Sequence, residues 1–119
     1  MILLIVEDNL TMRRLLRSLL DGVANSITEC EDGSEAVAAY ACCLPDWVLM
    51  DIKMKETDGI AATRQIKAQW FDARICVVTD YDDEDLRKAA FGAGAAEYVV
   101  KDNLFALRHI LTAEQFLKT

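Results

Sequence analysis

Four stretches of the chain place polar, chemically capable side chains at the ends of short apolar runs: Glu7 and Asp8 after "LLIV", Asp51 after "WVLM", Thr79 and Asp80 after "ICVV", and Lys101 after "YVV". Carboxylates brought together raise the cost of ionising one another unless a cation sits among them. A hard divalent ion meets that need: magnesium takes oxygen ligands, keeps several waters, and is commonly held by one or two carboxylates together with phosphate oxygens. An aspartate so placed can act as a nucleophile and form an aspartyl phosphate. A lysine ammonium and a hydroxyl would then share the charge on the transferring phosphoryl oxygens. Asp51 is the central candidate if the strands that end at Glu7 and Thr79 flank its own. Each residue also has a simpler reading: Asp8 as a helix cap, Lys101 as a solvated surface lysine, Thr79 as a partner of the local backbone. The agreement of four strand ends favours the chemical reading over any of these taken singly.

Those ends must be positioned by elements, and the apolar period switches in a way that names them. Ile2–Val6 is a continuous apolar run, and Leu15, Leu16, Leu19 and Leu20 recur at helical spacing up to Asp21-Gly22. Ser26–Cys30 reads as a second strand, and Asp32-Gly33-Ser34 opens a helix carrying Ala36, Val37 and Tyr40. Trp47–Met50 is a third strand, followed by a helix capped at Asp58 with Ile60, Thr63, Ile66 and Trp70 on one face. Ile75–Val78 is a fourth strand. The helix in "DDEDLRKAAFGAGA" has its acids at the positive end of its dipole and a stop at Gly92 or Gly94. "AEYVV" is the fifth strand, and "NLFALRHILTAEQFLKT" a last helix with Leu104, Leu107, Ile110 and Leu111 inward. Strands this apolar, alternating with helices, describe an α/β fold: one doubly wound five-stranded parallel sheet with helices on both faces. Strand order 2-1-3-4-5 is favoured over a Rossmann-like order by the small size, and ligands in such sheets bind beyond the carboxyl ends of the strands where the order reverses.

Composition narrows the function classes. The 119 residues suffice for a single core, and the apolar share of 53% with one proline excludes a disordered chain. A net charge of −7, from 20 acidic against 13 basic residues, disfavours direct nucleic-acid binding. Cys30, Cys42, Cys43 and Cys76 lack the paired spacing of a zinc site and read as reduced, mostly buried thiols. No signal-peptide pattern or membrane-length apolar run occurs, so a cytoplasmic setting is expected. His109, mid-helix and without a second histidine, reads as non-catalytic, and Trp47 and Trp70 as packing residues.

With "IVEDN" at the first strand, "DIKMKETDG" around Asp51, "VVTD" at the fourth strand and "AAEYVVKDN" at the fifth, the chain resembles the receiver domain of bacterial two-component response regulators over essentially all of residues 1–119. The resemblance implies that Asp51 is the phosphoacceptor, in a domain that catalyses its own Mg2+-dependent phosphoryl transfer without being a conventional turnover enzyme. It implies that Asp8, Asp51 and the backbone carbonyl of Lys53 contact magnesium, with Glu7 acting through water. Thr79 matches the switch hydroxyl, Lys101 the lysine that pairs with the phosphoryl group, and Tyr98 the aromatic that moves inward with the threonine. The implied donor is a phosphohistidine on a sensor histidine kinase or phosphotransfer protein. The implied output runs through the fourth helix, fifth strand and fifth helix, to a partner, an output domain or a second copy.

Three positions depart from the family's pattern. Lys55 stands where a proline is usual, which predicts a looser loop after the acceptor. Asp80 replaces a small residue and adds a fourth carboxylate, which either narrows access, repels the phosphoryl group, or points outward. Asp102-Asn103 replaces the proline after the lysine; either can cap the last helix, and "KDN" resembles the branch that precedes a helix-turn-helix domain. Two rivals stand beside this reading: a receiver-like module that binds a partner without phosphorylation, and a flavodoxin-like binding protein. The second lacks a glycine- and hydroxyl-rich phosphate cradle.

Overall fold

Alternation along each apolar run decides which helix covers which residue. The computed structural model describes residues 1–117, with side chains as far as Ala113. Its elements are β1 (Ile2–Val6), α1 (Leu10–Leu19), β2 (Ser26–Cys30), α2 (Ala36–Cys43), β3 (Trp47–Met50), α3 (Gly59–Gln69), β4 (Ile75–Thr79), α4 (Glu84–Gly92), β5 (Glu97–Val100) and α5 (Ala106–Leu117). Single 3-10 turns, Gly33–Glu35 and Lys101–Asn103, lead toward α2 and α5. Leu3 and Ile5 point to one face and join Leu16, Leu20, Leu107 and Leu111, under α1 and α5. Leu4 and Val6 point to the other and join Tyr40, Ala62 and Ile66, under α2 and α3. A third cluster of Ile52, Val77, Ala90 and Tyr98 lies beneath α4. Each fully buried Leu or Ile contributes roughly 1.5–3 kcal/mol, so the three central strands anchor the sheet's edge firmly.

All strand pairs are parallel, in the order β2-β1-β3-β4-β5. This is the order expected, and it removes the Rossmann-like alternative. The reversal falls between β1 and β3, where Val6 registers with Met50, and Met50 in turn registers with Val77 of β4. Glu7 and Asp51 are therefore neighbours at the carboxyl edge, tied there by Asp51 N–H donating to the Val6 carbonyl at 3.0 Å.

Side-chain caps fix the helix starts. Asn9 accepts from Met12 N–H at 2.8 Å, Asp58 from Ala61 N–H at 2.8 Å and Asp83 from Leu86 N–H at 3.0 Å. Because Asn9 caps α1, the capping role considered for Asp8 is filled and its carboxylate is left to the site. After α4 ends at Gly92, Gly94 takes a φ of +110°, which reverses the chain into β5.

Three details differ from expectation. Leu15 is 48% exposed while Leu16 is buried, because one residue of helical rotation carries it off the narrow inward stripe. The expected last helix is delayed: Lys101–Asn103 forms its own turn and α5 starts at Ala106, so neither Asp102 nor Asn103 caps it. The expected end of that helix, residues 118 and 119, lies outside the described residues. Of the four thiols, all free, Cys30 and Cys76 are buried and pushed up to about 12 by desolvation, but Cys42 is exposed. Among the described residues no helix is long and apolar enough to cross a membrane.

Candidate functional site at the carboxyl edge of the sheet

The turn after β1 delivers its acids to opposite environments. Glu7 is buried (2% exposed) and Asp8 is exposed. Arg13, reaching back from the first turns of α1, donates to the Glu7 carbonyl at 2.7 Å and pairs with Glu29 of β2 at 3.1 Å, which holds the acidic turn from behind. Asp51 is buried at the end of β3, with Oδ1 accepting from Ile52 N–H at 2.9 Å. Gly59 opens α3 against this turn, its N–H donating to the Ile52 carbonyl at 2.8 Å. A Cβ at Gly59 would lie 1.8 Å from the Asp51 carbonyl oxygen, so only glycine lets the helix start this close to Asp51.

Glu7, Asp8 and Asp51 each offer a carboxylate oxygen, and these oxygens all lie within 4.8 Å of one another. Lys101 comes in from the end of β5. Its Nζ lies 2.6 Å from Glu7 Oε1, 3.6 Å from Asp51 Oδ1 and 3.9 Å from Asp80 Oδ2. The resemblance pairs Lys101 with the phosphoryl group on Asp51; in the structure its closest partner is Glu7. One ammonium does not balance the acids: burial, with Asp51 beside it, raises the pKa of Glu7 even though Lys101 is bonded to it. Asp8 is raised too, by desolvation and then by Glu7. Burial alone would lower Lys101, but the bond to Glu7 and the charges of Asp51, Glu7 and Asp80 outweigh it, and its pKa is raised. An all-oxygen donor set with excess negative charge, facing a cleft of about 280 Å³, is what a hard divalent cation requires. The cluster fits a Mg2+ site.

Beside the acids sit the residues expected to respond. Thr79 is fully buried, and its Oγ1 accepts from Tyr81 N–H at 3.3 Å, the local backbone bond weighed from the sequence. Tyr98 is already buried in the third cluster, and not outside awaiting the inward move that the resemblance implies, because its hydroxyl donates to the Tyr81 carbonyl at 2.7 Å and the Arg87 guanidinium lies 4.6 Å from its ring centre. Sequence reasoning missed Tyr81, which bonds to both Thr79 and Tyr98 through its main chain and therefore leaves no side-chain signal. It also missed Arg13, whose position one turn into α1 reads as ordinary helix surface.

Two of the departures take definite form. Asp80 is 72% exposed at the rim of the cleft, with a carboxylate oxygen 3.9 Å from Lys101 Nζ, so its side chain turns toward the site and does not point away. The loop bearing Lys55 is tied down by Asp32, which accepts from Glu56 N–H at 2.9 Å and Thr57 N–H at 3.1 Å; the missing proline has not left it unanchored. His109 is exposed on α5, Trp47 is buried, and Trp70 packs against Tyr40 with ring centres 4.6 Å apart.

A doubly wound parallel sheet that gathers three carboxylates, an ammonium and a buried hydroxyl at the strand-order reversal defines a phosphoryl-accepting α/β domain. The family model of the response regulator receiver domain matches residues 3–113, and the chain belongs to that family: it is a phosphorylatable receiver, with an acidic cluster positioned for Mg2+-dependent phosphoryl transfer. It is similar to the chemotaxis protein CheY of Halobacterium salinarum, at 42% identity over 82% of each chain. Similarity to the response regulator MprA of Mycolicibacterium vanbaalenii is 35% over 92% of this chain, which spans 46% of that protein. Among solved structures, CheY in the CheX-CheY-BeF3-Mg complex of Borrelia burgdorferi matches with a TM-score of 0.86 and 28% identity, over 97% of this chain and 88% of that one.

Proposed function

We propose that residues 1–119 act as one receiver switch in which Asp51 is the phosphoryl acceptor. The observation that carries this is the position of Asp51: at the end of the central strand, one oxygen held by Ile52 N–H and 3.6 Å from Lys101, beside two further carboxylates on an open cleft. An Asp51 oxygen attacks phosphorus, the bond from phosphorus to the donor histidine nitrogen breaks, and its electron pair leaves with the imidazole. Asp8, Asp51 and the Lys53 carbonyl would hold magnesium, with Glu7 acting through water. When bound, the ion supplies charge neutralisation for the phosphoryl oxygens. Lys101 exchanges part of its hold on Glu7 for the phosphoryl group, Thr79 turns its hydroxyl from Tyr81 N–H toward the same oxygens, and Tyr98 is fixed in its buried position. The phosphoryl group thereby biases two packings of the edge formed by α4, β5 and α5.

The donor is a sensor histidine kinase or phosphotransfer protein in the cytoplasm. The edge of α4, β5 and α5 reports to a partner protein, an attached output domain or a second copy. The two kinds of relative, one spanned for 82% of its length and one for 46%, fit either arrangement. Adding beryllofluoride with Mg2+ should shift amide resonances around Asp51, Thr79 and Tyr98. A spectrum unchanged at those positions would remove this reading in favour of a phosphorylation-independent binding module.

Asp80 gives a graded test. Its carboxylate holds part of Lys101's charge and faces the path of an anionic donor, and an exposed charge of this kind is worth about 0.2–1 kcal/mol. Asp80→Ala should therefore speed labelling by a small-molecule phosphodonor by about 1.4- to fivefold, with the gain shrinking in high salt. Equal rates at low salt would show that Asp80 does not obstruct the site.

A further inference from the structure

Asp32 makes more bonds than its place at the start of a helix needs. It lies in the turn between β2 and α2, nearly buried, and its carboxylate accepts three backbone N–H groups. One is Ser34 N–H at 2.9 Å, the ordinary capping bond of its own turn. The other two, Glu56 N–H at 2.9 Å and Thr57 N–H at 3.1 Å, belong to the loop between β3 and α3, far away in sequence. Gly33 completes the junction: its N–H donates to the Thr57 carbonyl at 3.2 Å, and a Cβ there would sit 2.3 Å from that oxygen. The sequence offered "DGS" only as a helix start; the glycine is required by the approach of the second loop.

The loop so held is the one that leaves Asp51. It has no proline and no regular structure between Ile52 and Asp58. It is bonded to its own start through Ile52, whose N–H reaches Asp51 Oδ1 and whose carbonyl receives Gly59 N–H. Its outer half has Asp32 and Gly33. Bonds from backbone donors to an ionised carboxylate are stronger than neutral ones, and these N–H groups hold the Asp32 carboxyl well below the usual carboxylate range. A helix cap alone would explain one of the three bonds; the two others tie the outer half of the loop to the turn before α2, while Met54 packs its middle against the core under α2 and α3.

We propose that Asp32, with Gly33, is a positioning clamp for the acceptor loop, holding Lys53 where its carbonyl can complete the cation site beside Asp8 and Asp51. The inference rests on the assignment of Asp51 and Lys53 made above. Groups that orient a metal's ligands without touching the metal typically set its affinity by ten- to a hundredfold. In Asp32→Ala, amide hydrogen exchange at Glu56 and Thr57 should accelerate about tenfold or more, and Mg2+ affinity, measured by calorimetric titration of the full chain, should fall about tenfold. Asp32→Asn keeps one acceptor oxygen and should fall between the two, and it decides the question if the alanine variant does not fold. Fast exchange with Mg2+ affinity within about twofold of the parent would overturn the positioning role, since typical losses are much larger. Unchanged exchange would overturn the clamp itself. Failure of the parent chain to take up Mg2+ would instead strike the assignment of the site, and with it any role of Asp32 there.

Discussion

Asp51→Asn is expected to abolish Mg2+-dependent phosphoryl labelling while leaving a folded and equally or more stable chain. The amide keeps an oxygen for Ile52 N–H, so the turn after β3 retains its bond. It cannot act as a carboxylate nucleophile, and loss of a nucleophile typically costs three orders of magnitude or more, roughly the scale of such deletions elsewhere. Stability moves the opposite way because Asp51 is one of the groups that raise the pKa of Glu7. Neutralising it relieves repulsion on the buried Glu7 carboxylate, and Lys101 keeps its 2.6 Å bond to Glu7. Intact-mass spectrometry after exposure to a phosphodonor, with a thermal melt on the same sample, reads both effects. Labelling that persists would move the acceptor elsewhere in the cluster. A melt well below the parent's would mean that Asp51 is a structural ion-pair partner of Lys101.

The fold was legible because its strongest signals are local. The buried runs Leu3–Val6, Trp47–Met50 and Ile75–Thr79 have no polar member before the strand end, so sequence marks both the strand and the edge where it stops. The end residues then follow from topology: once β1 and β3 adjoin, Glu7 and Asp51 must meet. What sequence did not yield depends on contacts between segments distant in the chain. Lys101 reaches Glu7 across 94 residues, and its choice of Glu7 over Asp51 is set by side-chain reach that no pattern encodes. Asp32's hold on Glu56 and Thr57 looks in sequence like a helix cap. Tyr81 acts through main-chain atoms. Where α5 starts was missed because Leu104 and Leu107 keep helical spacing through the intervening 3-10 turn, so period alone does not mark the break.

Replacing Lys101 with methionine should make stability depend more steeply on pH and on Mg2+ than it does in the parent, where Glu7 is already raised and the same acids face the cleft. Methionine keeps much of the aliphatic stem's packing and removes the ammonium, leaving Glu7 buried without its 2.6 Å partner. Stranding one member of a buried ion pair costs about 3–5 kcal/mol, an upper figure here because Glu7 can escape by taking a proton. In the parent, Lys101's pKa is raised above 10.5, so its stabilising contribution is complete below that value and disappears as pH rises through the folded-state pKa. That alkaline loss should vanish in the variant. Glu7, already raised above 4.5, should rise further. A carboxyl that binds its proton more tightly in the folded state makes stability fall as pH climbs from 4.5 toward the folded-state pKa. The variant should therefore be closest to the parent in mild acid and furthest from it at neutral pH. Mg2+ should then recover stability at neutral pH, by about 2.7 kcal/mol at a hundred times its dissociation constant, because a cation among Glu7, Asp8 and Asp51 replaces the missing charge. Denaturant melts at two pH values, with Mg2+ and with chelator, separate these effects. A variant that matches the parent under all four conditions would show that the Glu7–Lys101 pair is not what holds the carboxyl edge together.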